Sequence, residues 1–110
     1  MPLYECRWRF HNTAVKSMTE RPQDREAPAR ELIEGFGGQM HHYYFMLGEY
    51  DGLAIVEFPD NVSVAATSMR AGSSGAFSRF ETHPLMSAQE AQRAMQMVKD
   101  RAVTYRAPNA

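Results

Sequence analysis

Residues 39–58 read Gln39-Met40-His41-His42-Tyr43-Tyr44-Phe45-Met46-Leu47-Gly48-Glu49-Tyr50-Asp51-Gly52-Leu53-Ala54-Ile55-Val56-Glu57-Phe58. An aromatic run over 39–47, a turn over 48–52 and an apolar run over 53–58 make a β-hairpin. Pro59 stops the second strand because it has no N–H for a ladder. In the turn, the glycines supply positive φ and Asp51 accepts from nearby backbone amides, so a structural role is favoured over a ligand loop.

Outward from this hairpin the same order appears on both sides. Upstream, Ala29, Leu32, Ile33 and Phe36 fall at i, i+3, i+4 and i+7, the spacing of an amphipathic helix. Gly37-Gly38 ends it, and either Pro22 or Pro28 could open it. Residues 11–21 are polar, with Val15 and Met18 suggesting a helical turn inside a connection. Residues 3–10 alternate Tyr4, Cys6, Trp8 and Phe10 with Glu5, Arg7 and Arg9, a strand with one apolar and one charged face. Downstream, Asp60 or Asn61 caps a helix whose stripe is Val62, Ala65, Ala66 and Met69. A loop over 72–75 leads to a strand over 76–83 with Phe77, Phe80 and Thr82. Ser87 and Glu90 form a capping box for a last helix striped by Ala91, Ala94, Met95, Val98 and Ala102. The tail from Thr104 is expected to be loose.

The order is β-α-β-β-α-β with an extra C-terminal helix. That is the α+β, ferredoxin-like arrangement: an antiparallel sheet with the crossover helices on one face. Residues 1–86 form the domain, and 87–110 are a helix and tail of the same domain. Trp8 is placed in the core on the helix side, with Tyr4, Cys6 and Phe10. The methionines Met69, Met86, Met95 and Met97 read as core filler.

The 110 residues suit one domain, and a 44% hydrophobic share excludes disorder. Twelve basic and thirteen acidic residues are interleaved, for a net charge of −1. Nucleic acid is therefore not the expected partner. No apolar run approaches the roughly 20 residues of a membrane helix. Charges near the N-terminus and a single cysteine predict a cytoplasmic protein without a disulfide.

The strand over 39–47 carries no formal charge on either side, histidine protonation aside. An open sheet normally keeps one polar face. A homodimer through the helix-free face of the sheet is therefore expected.

Candidate site residues come from the strands. His41 and His42 are adjacent on a strand and point to opposite faces, so they do not chelate one metal, and no metal site is expected. His42 shares a side with Tyr44 and is the candidate proton-handling pair. The first strand of this fold lies between the third and fourth. Arg7 and Arg9 could then meet Glu57 on one side and Glu81 on the other, with Arg79 nearby. They would anchor a carboxylate or other small organic ligand, or simply form cross-strand ion pairs. Cys6 reads as a small core residue. Gly72-Ser73-Ser74-Gly75 precedes a strand, whereas phosphate loops precede a helix. No cofactor is expected.

Gly48-x-Tyr50-Asp51, followed by an apolar strand ending Val56-Glu57-x-Pro59-Asp60, resembles the signature of the GYD-domain family. Arg30-Glu31-Leu32-Ile33-Glu34 before Gly37-Gly38 resembles that family's first helix, and Gly75 with Glu81-Thr82 its last strand. The resemblance covers residues 3–86. It implies a ferredoxin-like fold of the dimeric α/β-barrel type and no established activity, cofactor or catalytic residue. Pro28 and the Met-rich C-terminal helix depart from the pattern. Three function classes follow, in order: a small-molecule-binding domain, a cofactor-free enzyme (isomerase, monooxygenase or decarboxylase), and a structural or assembly role.

Overall fold

A computed structural model describes residues 2–109. The elements are β1 (Leu3–Phe10), α1 (Asn12–Glu20), α2 (Glu26–Gly35), β2 (Gln39–Phe45), β3 (Gly52–Glu57), α3 (Asn61–Gly72), β4 (Phe77–Leu85) and α4 (Ala88–Asp100). The four strands form one antiparallel sheet in the order β2-β3-β1-β4, so β1 lies between β3 and β4 as expected. This is the ferredoxin-like α+β fold.

The alternation of β1 decides which face is inside. Tyr4, Cys6, Trp8 and Phe10 are buried, and they join Ile33 of α2 and Val64 of α3 in one core. Ala54 and Val56 of β3, with Phe58, complete it. Trp8 stands at its centre. Its ring stacks on Phe80 and lies 5.3 Å from Tyr43, centroid to centroid. Phe77 and Phe80 are three residues apart yet share this face. A register shift after Arg9 explains it: Trp8 pairs with Phe80, but Phe10 pairs with Phe77.

The helices differ from expectation in α1 and α3, while α2 takes Pro28, one of its two expected openers. The polar connection after β1 is a nine-residue helix, α1, capped by the His11 side chain. α2 begins at Glu26, so Pro28 sits in its first turn, where its missing N–H has no intrahelical partner to lose. Asp24 receives the Glu26 N–H at 2.9 Å. In α3, capped by Asp60, the inward residues are Val64, Thr67 and Ala71, while Val62 and Met69 are exposed. Ala65 and Ala66 are half-buried, so the expected stripe lies beside the inward face and not on it. Thr67 can be inside because its hydroxyl donates to the Ser63 carbonyl one turn back.

The capping box Ser87–Glu90 opens α4 as expected. However, α4 packs closely on no other element, and Met95 and Val98 are exposed. Met69, Met86 and Met97 are exposed too, so the methionines are not core filler within one chain. The projecting helix makes the chain long, with a radius of gyration of 17.8 Å; a compact domain of this length would have about 13 Å.

Gly52 faces Trp8 so closely that a Cβ there would lie 2.6 Å from the indole. Gly52→Ala should therefore displace the ring and cost about 1–3 kcal/mol. Trp8→Ala, which empties the centre of the core, should cost about 3–5 kcal/mol. Urea unfolding followed by far-UV circular dichroism measures both. A Gly52→Ala protein as stable as wild type would show that the indole has room to move.

Candidate functional site

The turn over 48–52 works on both faces of the sheet. Gly48 takes φ 116°, a conformation that suits glycine. The Asp51 backbone N–H donates to the Trp8 carbonyl at 2.7 Å, and its carboxylate accepts the Phe10 N–H at 2.8 Å. The turn is structural, as favoured, but the amide that Asp51 holds belongs to β1 rather than to the turn itself. Tyr50 projects to the open face. Its hydroxyl donates to Glu81 at 2.5 Å, and the Arg7 and Arg79 guanidinium groups lie 5.1 and 5.4 Å from its ring centre.

Around Tyr50 the open face carries a connected set of charges. Arg7 donates to Glu5 at 2.8 Å, and Arg79 reaches Glu81 at 2.9 Å. His83 lies 3.4 Å from Glu5 and 3.1 Å from Glu81. The bond from Arg7 holds the Glu5 carboxyl below its ordinary range, and the bond from Tyr50 does the same for Glu81.

The register sorts the sequence candidates. Arg7 lies opposite Leu53 on β3 and Glu81 on β4, whereas Glu57 lies opposite Leu3 at the other end. Arg7 therefore pairs with Glu5 and not with Glu57. Arg9 lies opposite Arg79 and is exposed; among the described residues it forms no ion pair. Glu57 instead bonds His41 at 2.9 Å. β2 carries a bulge: Met40 pairs with Val56 and His42 with Ile55, leaving His41 unpaired between them. Glu57 and Ile55 alternate with buried residues, so both histidines face outward, not to opposite sides. His42 stacks on Tyr44, centroids 6.0 Å apart, and both are exposed. Among the described residues, no three His, Cys, Asp or Glu side chains are gathered to hold a metal ion.

A partly enclosed hollow lies on the other face. A cavity of about 320 Å³ separates the sheet from α2 and α3. Trp8, Phe10, Tyr43, Phe77 and Phe80 form its aromatic wall, and Thr67 and Ser68 add hydroxyls. The Trp8 Nε1–H is buried and has no hydrogen-bond partner among the described residues. Burial pushes the Cys6 thiol up to about 11 and the Tyr43 phenol up to about 12, so both keep their protons at neutral pH. Ser68 and Thr82 share a 2.7 Å hydrogen bond beside Cys6. Of the lining residues, the sequence places Cys6, Trp8 and Phe10 in the interior and Phe77 and Phe80 on the fourth strand without a face; Arg25 and Arg70, which also line the cavity, gave no signal.

The open-face charges predict an acid response. Glu5 and Glu81 ionise more readily folded than unfolded, so as pH falls below 4.5 the unfolded chain binds protons first. Their contribution is whole above that pH and is lost as pH drops through the lowered folded values. The double variant E5Q/E81Q should lose less of its melting temperature between pH 6 and pH 3 than wild type. Asp60 and Glu90, lowered by their helix caps, supply the remaining slope in both proteins. Parallel slopes would show the network to be energetically silent.

No helix among the described residues is long and apolar enough to cross a membrane. A search of curated proteins found no match. The family model of the GYD domain matches residues 4–95, from the first core residue of β1 to just past the middle of α4. The matched range contains Gly48, Tyr50 and Asp51, the turn that ties the hairpin to β1. With most of its length covered, the chain belongs to the GYD-domain family.

Proposed function

We propose that this protein binds a small organic molecule in the cavity between the sheet and helices α2 and α3, and that it works as a homodimer. The observation that carries the binding reading is the cavity itself. Its volume of about 320 Å³ falls at the lower end for ligand sites, and its wall is aromatic with a few hydroxyls. An apolar cavity of about 150 Å³ already holds benzene, so this one suits one or two rings.

The dimer reading rests on what one chain leaves uncovered. On the open face Tyr44 is 57% exposed, with Leu3 and Leu85 also exposed. Leu53 and Ile55 lie between them on β3. Met95 and Val98 of the α4 stripe are exposed as well. A second copy on this face would remove that apolar surface from water, with an interface of roughly 1,200–2,000 Å². Localisation in the cytoplasm agrees with a buried, protonated thiol at Cys6.

Both parts are open to test. Trp8 is the only tryptophan, so its fluorescence reports on the cavity alone. Screening one- and two-ring fragments should give saturable changes that Ala71→Phe, which fills the space from α3, abolishes. A wild-type protein silent to every fragment would defeat the binding reading. Light scattering at micromolar concentration should give twice the chain mass, and Leu53→Arg on the open face should halve it. A monomeric wild type would defeat the dimer.

A further inference from the structure

The cavity has a directional polarity. Its floor is formed by residues that are almost wholly buried, among them Cys6, Ala54, Val56 and Phe58. Among the lining residues, Pro28, Arg70 and Ser74 are exposed and Arg25 is partly buried. The cavity therefore opens between the first turn of α2 and the last turn of α3, and an arginine stands on each side of the opening.

Those two arginines differ from Arg7, Arg30 and Arg79, each of which is paired with a carboxylate. Neither Arg25 nor Arg70 forms an ion pair among the described residues. Arg25 donates one N–H to Gln23 at 3.0 Å and keeps the rest of its fork. The acids beside it are committed elsewhere: Asp24 accepts the Glu26 backbone N–H, and Glu26 is held by Arg30 at 2.9 Å. The opening thus presents two free guanidinium groups above an apolar, aromatic interior.

Building on the binding reading above, we propose that the ligand is a flat one- or two-ring carboxylate, its rings against Trp8 and Tyr43 and its carboxylate at the mouth between Arg25 and Arg70. The aromatic wall suits a planar apolar body. The volume limits that body to about two rings. A guanidinium bonds both oxygens of a carboxylate through parallel N–H groups, which a neutral amide cannot match. The charged end stays near water, so its full desolvation is avoided.

The test compares 2-naphthoate with 2-naphthamide, its uncharged counterpart, by isothermal titration calorimetry at pH 7. Wild type should bind the acid roughly tenfold more tightly than the amide, the value of about one charge-assisted hydrogen bond. The preference should shrink as salt is raised, since the mouth is exposed. In R25M/R70M the preference for the acid should vanish, the two probes binding within about twofold of each other. Both side chains lie at the surface, and unchanged melting of the variant, or of R70M alone, shows that the fold is intact. Equal affinities in wild type, or a preference that survives in R25M/R70M, would overturn the carboxylate assignment while leaving the cavity a binding site. Wild type that binds neutral rings but neither naphthalene probe would overturn it as well. Silence toward every ring compound would instead remove the binding reading on which it rests.

Discussion

The hydrogen bonds between Asp51 and β1 hold the rest of the structure in place. The ladder between β1 and β3 ends where Trp8 faces Gly52. Just beyond that point, Asp51 accepts the Phe10 N–H through its carboxylate and donates its own N–H to the Trp8 carbonyl. The Asp51 carbonyl in turn accepts the Met46 N–H, which closes the loop between β2 and β3. Register matters here because a slip of one residue would carry every side chain of the strand to the opposite face. One aspartate thus determines which residues of the hairpin meet the core and which meet the open face. Gly52 follows from the same geometry, since the indole fills the space that its side chain would need.

Tyr50 and Gly52 flank that aspartate and serve the two faces. Gly52 admits Trp8, whose ring walls the cavity below α2 and α3. Tyr50 turns the other way and lies between two arginines, with its hydroxyl on Glu81. The face below is a core with a hollow, and the face above carries a lattice of charges. Hydrophobic burial drives the first. The second gains little stability, because exposed ion pairs are screened by water, but it holds its side chains in defined positions.

The sequence alone determined the elements that depend on local chemistry. The period of two in β1 put Trp8 inside, because adjacent strand residues must take opposite faces. The capping box at Ser87 and Glu90 opened the last helix, because its bonds join residues close in the chain. The order of strands and helices led to the ferredoxin-like topology, and the residues around Gly48, Tyr50 and Asp51 led to the GYD family.

Tertiary structure decided the rest, each time because the deciding contact is distant in sequence. The bulge at His41 reversed the alternation of β2, and it exists only against β3. α3 mixes small apolar and hydroxyl residues around its girth, so its inward face was settled by the sheet beneath it and not by its own period. Arg7 and Glu57 were separated by the strand register, which no spacing along the chain encodes. The candidate site moved for the same reason. Arg25 and Arg70 are far apart in the sequence and sit on different helices, and only the packing of α2 and α3 over the sheet brings both to one opening.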